Sequence, residues 1–378
     1  MTQDDFSKQL QQEYETCKQE NPRPRILVMG GTGVGKSSLI NKCFNAELAQ
    51  AGTGQPVTQE IRRYEKPETP VVLYDTKGYE IGNGKEDEFI SRVVDFASES
   101  VASKEPIHLA WYCIQASGHR VTDFDLRAIA RIREQGIPVA IVLTKAELVS
   151  AEAAEEIKKS AVAGRGIPFF ETSAVDKSQP WQLTELCEWS IEQLPAAVKR
   201  SFIAAQRQNL EAKRKECQKI IQQHTASAAV VGFSPIPVSD GPILLGIQGT
   251  MLARIVYVYG LESLLKSKGT GFITTLIAPI IMRSGILLTS SLLKFIPGMG
   301  GAINAGVALS ITWSIGLAFA SLCEQMLTAD MEGGEYALKA VLDSAADIFK
   351  ENFAEEIKKK RRAGVFWDSR KGEHHDSE

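Results

Sequence analysis

The residues with the clearest chemistry are Gly30–Ser37, which match the pattern G-x-x-x-x-G-K-[ST]. Glycines allow such a loop to fold around a polyphosphate without a Cβ in the way, and its N–H groups supply partial positive charge. Lys36 would reach the β- and γ-phosphates, and the Ser37 hydroxyl would ligate Mg²⁺. The loop therefore predicts a nucleoside triphosphate site. Its predicted contacts are Gly30, Gly31, Thr32, Gly33, Val34, Gly35, Lys36, Ser37 and Ser38.

A second motif, Asp75-Thr-Lys-Gly78, follows an apolar run. A carboxylate at a strand end can hold Mg²⁺ through water, and the Gly78 N–H can sense the γ-phosphate. We predict Thr58 as the switch threonine that completes the Mg²⁺ shell, with Thr53 as its competitor, because Thr58 comes just before a predicted edge strand. The predicted catalytic residues are Lys36, Thr58 and Gly78, and the predicted metal ligands are Ser37, Thr58 and Asp75.

Two further motifs point to base recognition. Thr144-Lys145-Ala-Glu147 follows an apolar run, so the Lys145 stem would pack over the purine and the Glu147 carboxylate would accept hydrogen bonds from guanine. Glutamate is one methylene longer than the aspartate usual at this position, which weakens the guanine preference. Ser173 and Ala174 end a later strand, where their backbone N–H groups would face guanine O6. Together these residues predict guanine over adenine.

These motifs require strands and helices to hold them. From residue 25 to about 195, apolar runs alternate with helical stretches, which predicts an α/β domain with a mostly parallel six-stranded sheet flanked by helices. The predicted strands are Ile26–Met29, Ile61–Lys66 at an edge, Val71–Tyr74, His108–Ile114, Val139–Leu143 and Pro168–Phe170.

Composition limits the class of protein. The chain has 378 residues, 44% hydrophobic and 24% charged, with net charge −3. These values are expected for a globular protein without a nucleic-acid coat that has either two domains or one domain with a large appendage. Its six cysteines are scattered without a C-x-x-C pair, which predicts reduced thiols and a cytoplasmic location. The polar N-terminus does not resemble a signal peptide.

The second half of the chain is apolar and predicted to be all α-helical. We expect an N-terminal helix at 1–24, the α/β domain at 25–195, a connecting helix at 196–224, an apolar helical domain at 225–331, an amphipathic helix at 332–362 and a disordered tail at 363–378. Gly300–Cys323 is uncharged and longer than the roughly 20 residues that cross a bilayer. Three alternatives remain open: a buried bundle, a bundle that inserts partly into a membrane, and a transmembrane hairpin. The basic run Lys358–Arg362 suits either an anionic membrane surface or a helix C-terminus.

Taken in order, the motifs resemble the small-GTPase-like G domain, and within it the TrmE–Era–septin branch. Pro56–Glu60, Trp111–Ile114 and Arg120–Asp123 are similar to that branch, and Ser37-Ser38 resembles the immunity-related and dynamin-like GTPases. The resemblance implies GTP or GDP with Mg²⁺ as ligands and hydrolysis of GTP to GDP and phosphate.

Two departures from the family pattern modify that expectation. Tyr79 stands where many small GTPases have a water-positioning glutamine, so intrinsic turnover should be slow. Gly33 replaces the asparagine that binds a stimulating K⁺ in TrmE-like enzymes, so activation in a homodimer is the expected route. Arg62, Arg63 and Arg120 are candidates to act in trans, although solvated surface charge is the favoured interpretation.

Residues 220–330 resemble a helical domain of unassigned function that follows bacterial G domains. The matching residues are His224–Ala228, Pro235–Pro237, Asp240, Tyr259-Gly260 and Lys294–Gly298. This resemblance implies an effector domain, with membrane lipid as a candidate partner and no nucleic acid expected. The alternatives are a septin-like membrane scaffold that uses GTP as a slow assembly cofactor and an Era-like RNA or ribosome factor.

Overall fold

The computed structural model describes most of the chain in two compact units. The described residues are 3–44, 55–56, 61–66, 69–76, 86–118, 120–176, 181–232, 240–261, 301–332 and 338–362. Residues 21–212 form one unit, and residues 1–20 together with 213–378 form the other. The N-terminal helix therefore belongs to the same unit as the C-terminal helices.

The first unit is built on one mixed sheet. Its strands are β1 (Arg25–Gly30), β2 (Gln55–Pro56), β3 (Ile61–Lys66), β4 (Thr69–Thr76), β5 (Leu109–Gln115), β6 (Val139–Thr144) and β7 (Phe169–Glu171). The order across the sheet is β2-β3-β4-β1-β5-β6-β7. Strands β4, β1, β5, β6 and β7 are parallel, whereas β2 and β3 are antiparallel to their neighbours.

All six predicted strands are present, which confirms the mostly parallel α/β fold. One detail differs, because the two-residue strand β2 pairs outside β3, so Ile61–Lys66 is not the outermost strand. The helices of this unit are α2 (Lys36–Cys43), α3 (Glu86–Ala102), α4 (Asp123–Arg133), α5 (Ala151–Val162), α6 (Leu183–Gln193) and α7 (Ala196–Ala205).

The sheet is buried on both faces, which explains why its parallel strands are continuous apolar runs. Alternate residues of β1 point to opposite faces: Ile26 and Val28 pack with Leu39 of α2, while Leu27 and Met29 pack on the other side with Ile129 of α4. The two faces fix which side chains come near α2 and therefore near the loop that precedes it.

The predicted connecting helix at 196–224 is instead two helices, α7 and α8 (Leu210–Gly232). The break has a local cause. The buried Gln206 side chain accepts a hydrogen bond from Asn209 N at 2.7 Å and donates to Asn209 O at 3.0 Å. Asn209 Oδ1 then accepts from Ala212 N at 2.8 Å, as a helix N-cap does. These bonds end one helix and begin the next.

The second unit is helical throughout its described parts, in agreement with the prediction. It contains α1 (Gln3–Glu20), most of α8, α9 (Asp240–Tyr259), α10 (Gly301–Glu332) and α11 (Leu338–Arg362). The ring of Tyr14 in α1 packs edge-on against Tyr257 in α9, with 6.0 Å between centroids. Across the described residues, no helix has both the length and the apolar character that a bilayer span requires.

Three of the predicted C-terminal features lie outside the described residues. They are the segment Pro235–Pro237, the motif Lys294–Gly298 and the tail at 363–378. The predicted amphipathic helix at 332–362 is described as α11 from Leu338 to Arg362, whereas Glu332 belongs to α10.

Candidate functional site

The phosphate loop joins the end of β1 to the start of α2. Gly30 has φ 137°, and a Cβ there would lie 2.3 Å from the carbonyl oxygen of Cys113 in the neighbouring strand β5. Gly35 has φ 104° at the N-cap position of α2, and its carbonyl accepts from Leu39 N at 2.9 Å. Glycine is therefore required at Gly30 by close backbone approach and at Gly35 by its left-handed conformation.

The Lys36 side chain is buried inside this loop. Its Nζ donates to the carbonyls of Gly30 and Gly31, both at 3.0 Å. These bonds hold the ammonium group within the curve of the loop, where the sequence predicts a polyphosphate. Ser37 and Ser38 occupy the first turn of α2 and are exposed, so their hydroxyls are available at the helix N-terminus.

The motif that begins with Thr144 and Lys145 contacts the phosphate loop directly. Lys145 Nζ donates to Gly33 O at 2.8 Å. Thr144 Oγ1 donates to Val34 O and lies 3.2 Å from Ile114 O. The end of β6 thus fixes two consecutive carbonyls of the loop, although 110 residues separate Thr144 from Val34. The predicted base-side and phosphate-side residues form a single site.

The loops after β6 and β7 are joined by backbone hydrogen bonds. Ala146 N donates to Thr172 O at 3.1 Å, and Thr172 N donates to Leu143 O at 2.7 Å. The buried Ser173 hydroxyl accepts from Asp176 N at 2.9 Å, which fixes the turn that contains Ala174. These bonds bring the turn with Ser173 and Ala174 next to the Lys145 motif, and the predicted contact of their N–H groups with guanine stays a prediction.

Glu147 lies on the short helical turn after Lys145. Its Oε2 atom is buried and has no hydrogen-bond partner in the described part of the chain. A buried carboxylate oxygen of this kind lacks the donors that normally satisfy it. Guanine could supply them, because its N1–H and exocyclic amine are adjacent donors.

Asp75 stands at the end of β4, opposite Val28 of β1 and Arg62 of β3. Its side chain is buried, and Oδ1 has no hydrogen-bond partner among the described residues. Burial raises the pKa of Asp75 from its ordinary 3.8 to about 6, against the opposing charges of Lys36 and Arg62. This unsatisfied oxygen on a hard carboxylate fits the Mg²⁺ that the phosphate loop implies.

Two predicted site residues, Thr58 and Gly78, lie outside the described residues. The same holds for Thr53 and Tyr79. Their roles in sensing the γ-phosphate remain predictions. The remaining predicted residues that the structure describes lie at one edge of the sheet, because the strands that carry them are parallel and their carboxyl ends meet there.

Gln115 is a site residue that the sequence argument missed. It ends β5, and its Oε1 atom accepts from Lys145 Nζ at 3.2 Å, while its Nε2 atom donates to Ser117 Oγ. Gln115 Oε1 and Gly33 O therefore both accept from the Lys145 ammonium group. A polar residue that ends an apolar run was the available signal, as it was for Asp75 and Thr144.

Arg63, which we expected to be a solvated surface charge, is partly exposed and takes part in ion pairs. Its guanidinium is half-buried, pairs with Glu65 at 2.7 Å and Glu105 at 3.5 Å, and lies over the Tyr74 ring at 5.9 Å. These carboxylates balance the charge of Arg63.

Together, the fold and the site define a P-loop nucleotide-binding domain.

Comparisons with known proteins identify the kind of P-loop domain. A family model described as 50S ribosome-binding GTPase matches residues 25–145. The chain is 30% identical over 135 residues to the probable GTP-binding protein EngB of Flavobacterium psychrophilum, covering 35% of this chain and 64% of that protein. It is 29% identical over 147 residues to Septin-8-B of Xenopus laevis, covering 33% of this chain and 34% of that protein. The chain thus spans less than two thirds of the length of either relative. Residues 25–145 carry a P-loop G domain related to these proteins.

Solved structures with a similar fold include Era in complex with MgGDPNP and nucleotides 1506–1542 of 16S ribosomal RNA. That chain is 19% identical, and the match covers 46% of this chain and 58% of Era with a TM-score of 0.34, which is too low to carry an argument about function. The expectation that nucleic acid is not a partner of this chain stays a prediction.

Proposed function

We propose that this chain binds GTP with Mg²⁺ and hydrolyses it to GDP and phosphate. The observation that carries the proposal is the pair of contacts from Thr144 and Lys145 to the carbonyls of Val34 and Gly33. These contacts join the predicted base-reading motif to the predicted phosphate loop, as one nucleotide spanning both would require.

Each candidate site residue that the structure describes has a definite role in the proposed reaction. The loop N–H groups and the α2 N-terminus bind the phosphates, and Lys36 balances their charge. Ser37 and Asp75 would hold Mg²⁺, which, when bound, neutralises negative charge on the β- and γ-phosphates. Lys145 packs over the base, and Glu147 accepts from guanine. Orientation and charge stabilisation supply most of the catalysis in such sites.

The proposal is tested by GTP turnover measured over a range of protein concentrations. We expect slow turnover at low concentration and a steep rise at high concentration, since activation is proposed to occur in a homodimer. Lys36→Ala should abolish GTP binding. Tight GTP binding by that variant would contradict the assignment of the phosphate loop.

We also propose that nucleotide state switches the helical region 225–331 at the cytoplasmic face of a membrane. The free, buried state of all six cysteines supports a reducing compartment. The basic run Lys358–Arg362 at the end of α11 supports attraction to anionic lipid. Flotation with anionic liposomes should differ between GDP and a non-hydrolysable GTP analogue, and equal flotation in both states would count against switching.

Two second candidates have specific support. The similarity to Septin-8-B favours a scaffold that uses GTP as a slow assembly cofactor; flat, negligible turnover at every protein concentration would support it. The 50S ribosome-binding family match favours a ribosome factor. Salt-sensitive co-sedimentation with ribosomal subunits in the GTP state would support that candidate.

A further inference from the structure

Strand β3 carries two neighbouring arginines that face opposite sides of the sheet. Arg63 faces the side of Tyr74 and is held by the ion pairs described above. Arg62 shares its side with Tyr64, which packs in one cluster with Val28 of β1 and Leu39 of α2. Arg62 therefore lies on the face covered by α2, the helix that begins at the phosphate loop.

The register of β3 places Arg62 close to the carboxyl edge of the sheet. Ile61, the first residue of β3, pairs with Thr76, the last residue of β4, and Arg62 pairs with Asp75. Residues directly opposite in an antiparallel pair have their Cβ atoms about 5 Å apart on the same face. Arg62 thus begins beside the carboxylate that is proposed to hold Mg²⁺.

The Arg62 guanidinium has no fixed anionic partner within the described residues, where it makes neither a hydrogen bond nor an ion pair. Its side chain is half-buried, and its charge is felt at Asp75, whose pKa it lowers. A partly desolvated cation favours an anionic ligand with several oxygens, and the planar guanidinium suits phosphate.

We propose that Arg62 is a charge-stabilising residue for GTP hydrolysis, donating from its guanidinium to γ-phosphate oxygens of the nucleotide bound by the same chain. This inference rests on the proposed function and adds a catalytic residue to it. Arg63 lies one position away, but its guanidinium faces the other side of the sheet and is already paired.

The chemistry needs no additional reactant. A water oxygen forms a bond to the γ-phosphorus, and the bond from that phosphorus to the β–γ bridging oxygen breaks. GDP leaves with the electron pair, and the protons of the water pass to phosphate and solvent. Arg62 stays a cation throughout and transfers no proton; its contribution is attraction to charge that moves during the transfer.

The test compares single-turnover GTP hydrolysis and GDP affinity for the parent protein, Arg62→Gln, Arg62→Lys and the matched control Arg63→Gln. We expect Arg62→Gln to lower the hydrolysis rate constant by about 100-fold, in line with the loss of one charge-stabilising donor. Its Kd for GDP should change less than about threefold, because GDP lacks the γ-phosphate. Arg62→Lys should recover about tenfold of the loss, and Arg63→Gln should hydrolyse GTP at the parent rate.

Three results would overturn the assignment. Parent-like hydrolysis by Arg62→Gln would remove Arg62 from the reaction. An equal loss of GDP and GTP affinity would make its role structural. Full recovery of Arg62→Gln on adding Lys36→Ala protein would place the active Arg62 in a partner copy. If the parent protein itself fails to bind GTP, the proposed function falls, which is distinguishable from a defect confined to Arg62→Gln.

Discussion

At the scale of single residues, the site depends on a few positions where the size or charge of the side chain rules out other residue types. Most of them were predictable, because a phosphate loop, a strand-end carboxylate and a base-side lysine have recognisable sequence patterns. The partners of these residues were not predictable. Gln115 contacts Lys145 only because β5 and β6 are neighbours, and that pairing is a property of the sheet.

Gly30→Ala should disrupt both the loop and the sheet. The new Cβ would lie 2.3 Å from Cys113 O, and φ 137° is unfavourable for alanine. We expect a loss of at least about 2 kcal/mol in the free energy of unfolding together with loss of nucleotide binding. The matched control is Gly136→Ala, where φ is also positive but nothing lies within 4 Å. Equal denaturation midpoints for the two variants would contradict the close approach at Gly30.

Asp75→Asn should stabilise the nucleotide-free protein while abolishing Mg²⁺-dependent GTP binding. The folded-state pKa of Asp75, about 6, lies above its ordinary 3.8, so its ionisation penalises the fold above about pH 6. This penalty decreases as the pH falls below about 6, and it is gone below the ordinary pKa of 3.8. In EDTA at pH 7.5 we expect the free energy of unfolding to rise by up to about 3 kcal/mol, with no difference from the parent at about pH 3, below the ordinary pKa of 3.8.

The control for Asp75→Asn is Asp95→Asn, at an exposed position of α3, which should change stability by less than about 0.5 kcal/mol at either pH. Destabilisation of Asp75→Asn in EDTA at pH 7.5 would show that the buried carboxylate is satisfied in the free protein.

At the scale of elements, strands were easier to predict than helix boundaries. The parallel strands are buried on both faces, so their apolar runs mark them to within about two residues. The break between α7 and α8 escaped prediction because it depends on hydrogen bonds from the side chains of Gln206 and Asn209. Strand β2 is two residues long and has no periodicity to detect.

Helix α10 should tolerate no side chain at Gly316. A Cβ there would lie 2.7 Å from Ile221 Cγ1 and 3.1 Å from Met251 Sδ, which marks close packing of α10 against α8 and α9. We expect overpacking in Gly316→Ala to lower the free energy of unfolding of the helical unit by roughly 1–3 kcal/mol. The thermal midpoint of that unit should fall accordingly. Gly246→Ala is the control, since among the described residues its Cβ would meet just Gln9 Nε2 at 3.5 Å, and alanine favours helix. A higher midpoint for Gly316→Ala would contradict this packing.

At the scale of the whole molecule, the G domain is inserted between two parts of one helical unit. This arrangement was not predictable, because it rests on pairs distant in sequence, such as Tyr14 with Tyr257 and Glu20 with Arg254. The chain enters residues 21–212 from the helical unit at one end and returns to the same unit at the other end.

Tyr14→Ala should weaken the helical unit while sparing the nucleotide site. It removes the ring contact with Tyr257 and a buried aromatic side chain, at a cost of about 3 kcal/mol. Limited proteolysis should show faster cleavage within residues 213–378, with GDP affinity unchanged. Faster cleavage confined to residues 21–212 would assign α1 to the other unit.

The central claim is that one guanine nucleotide, with Mg²⁺, spans the phosphate loop and the Lys145 and Glu147 motif. Calorimetric titration of the parent protein with GTP and with ATP, each in Mg²⁺, tests it most directly. We expect GTP to bind at least about 100-fold more tightly than ATP, since guanine carries adjacent N–H donors for the unpartnered Glu147 oxygen and adenine does not. Equal affinity for the two nucleotides, or no binding of either, would contradict the account.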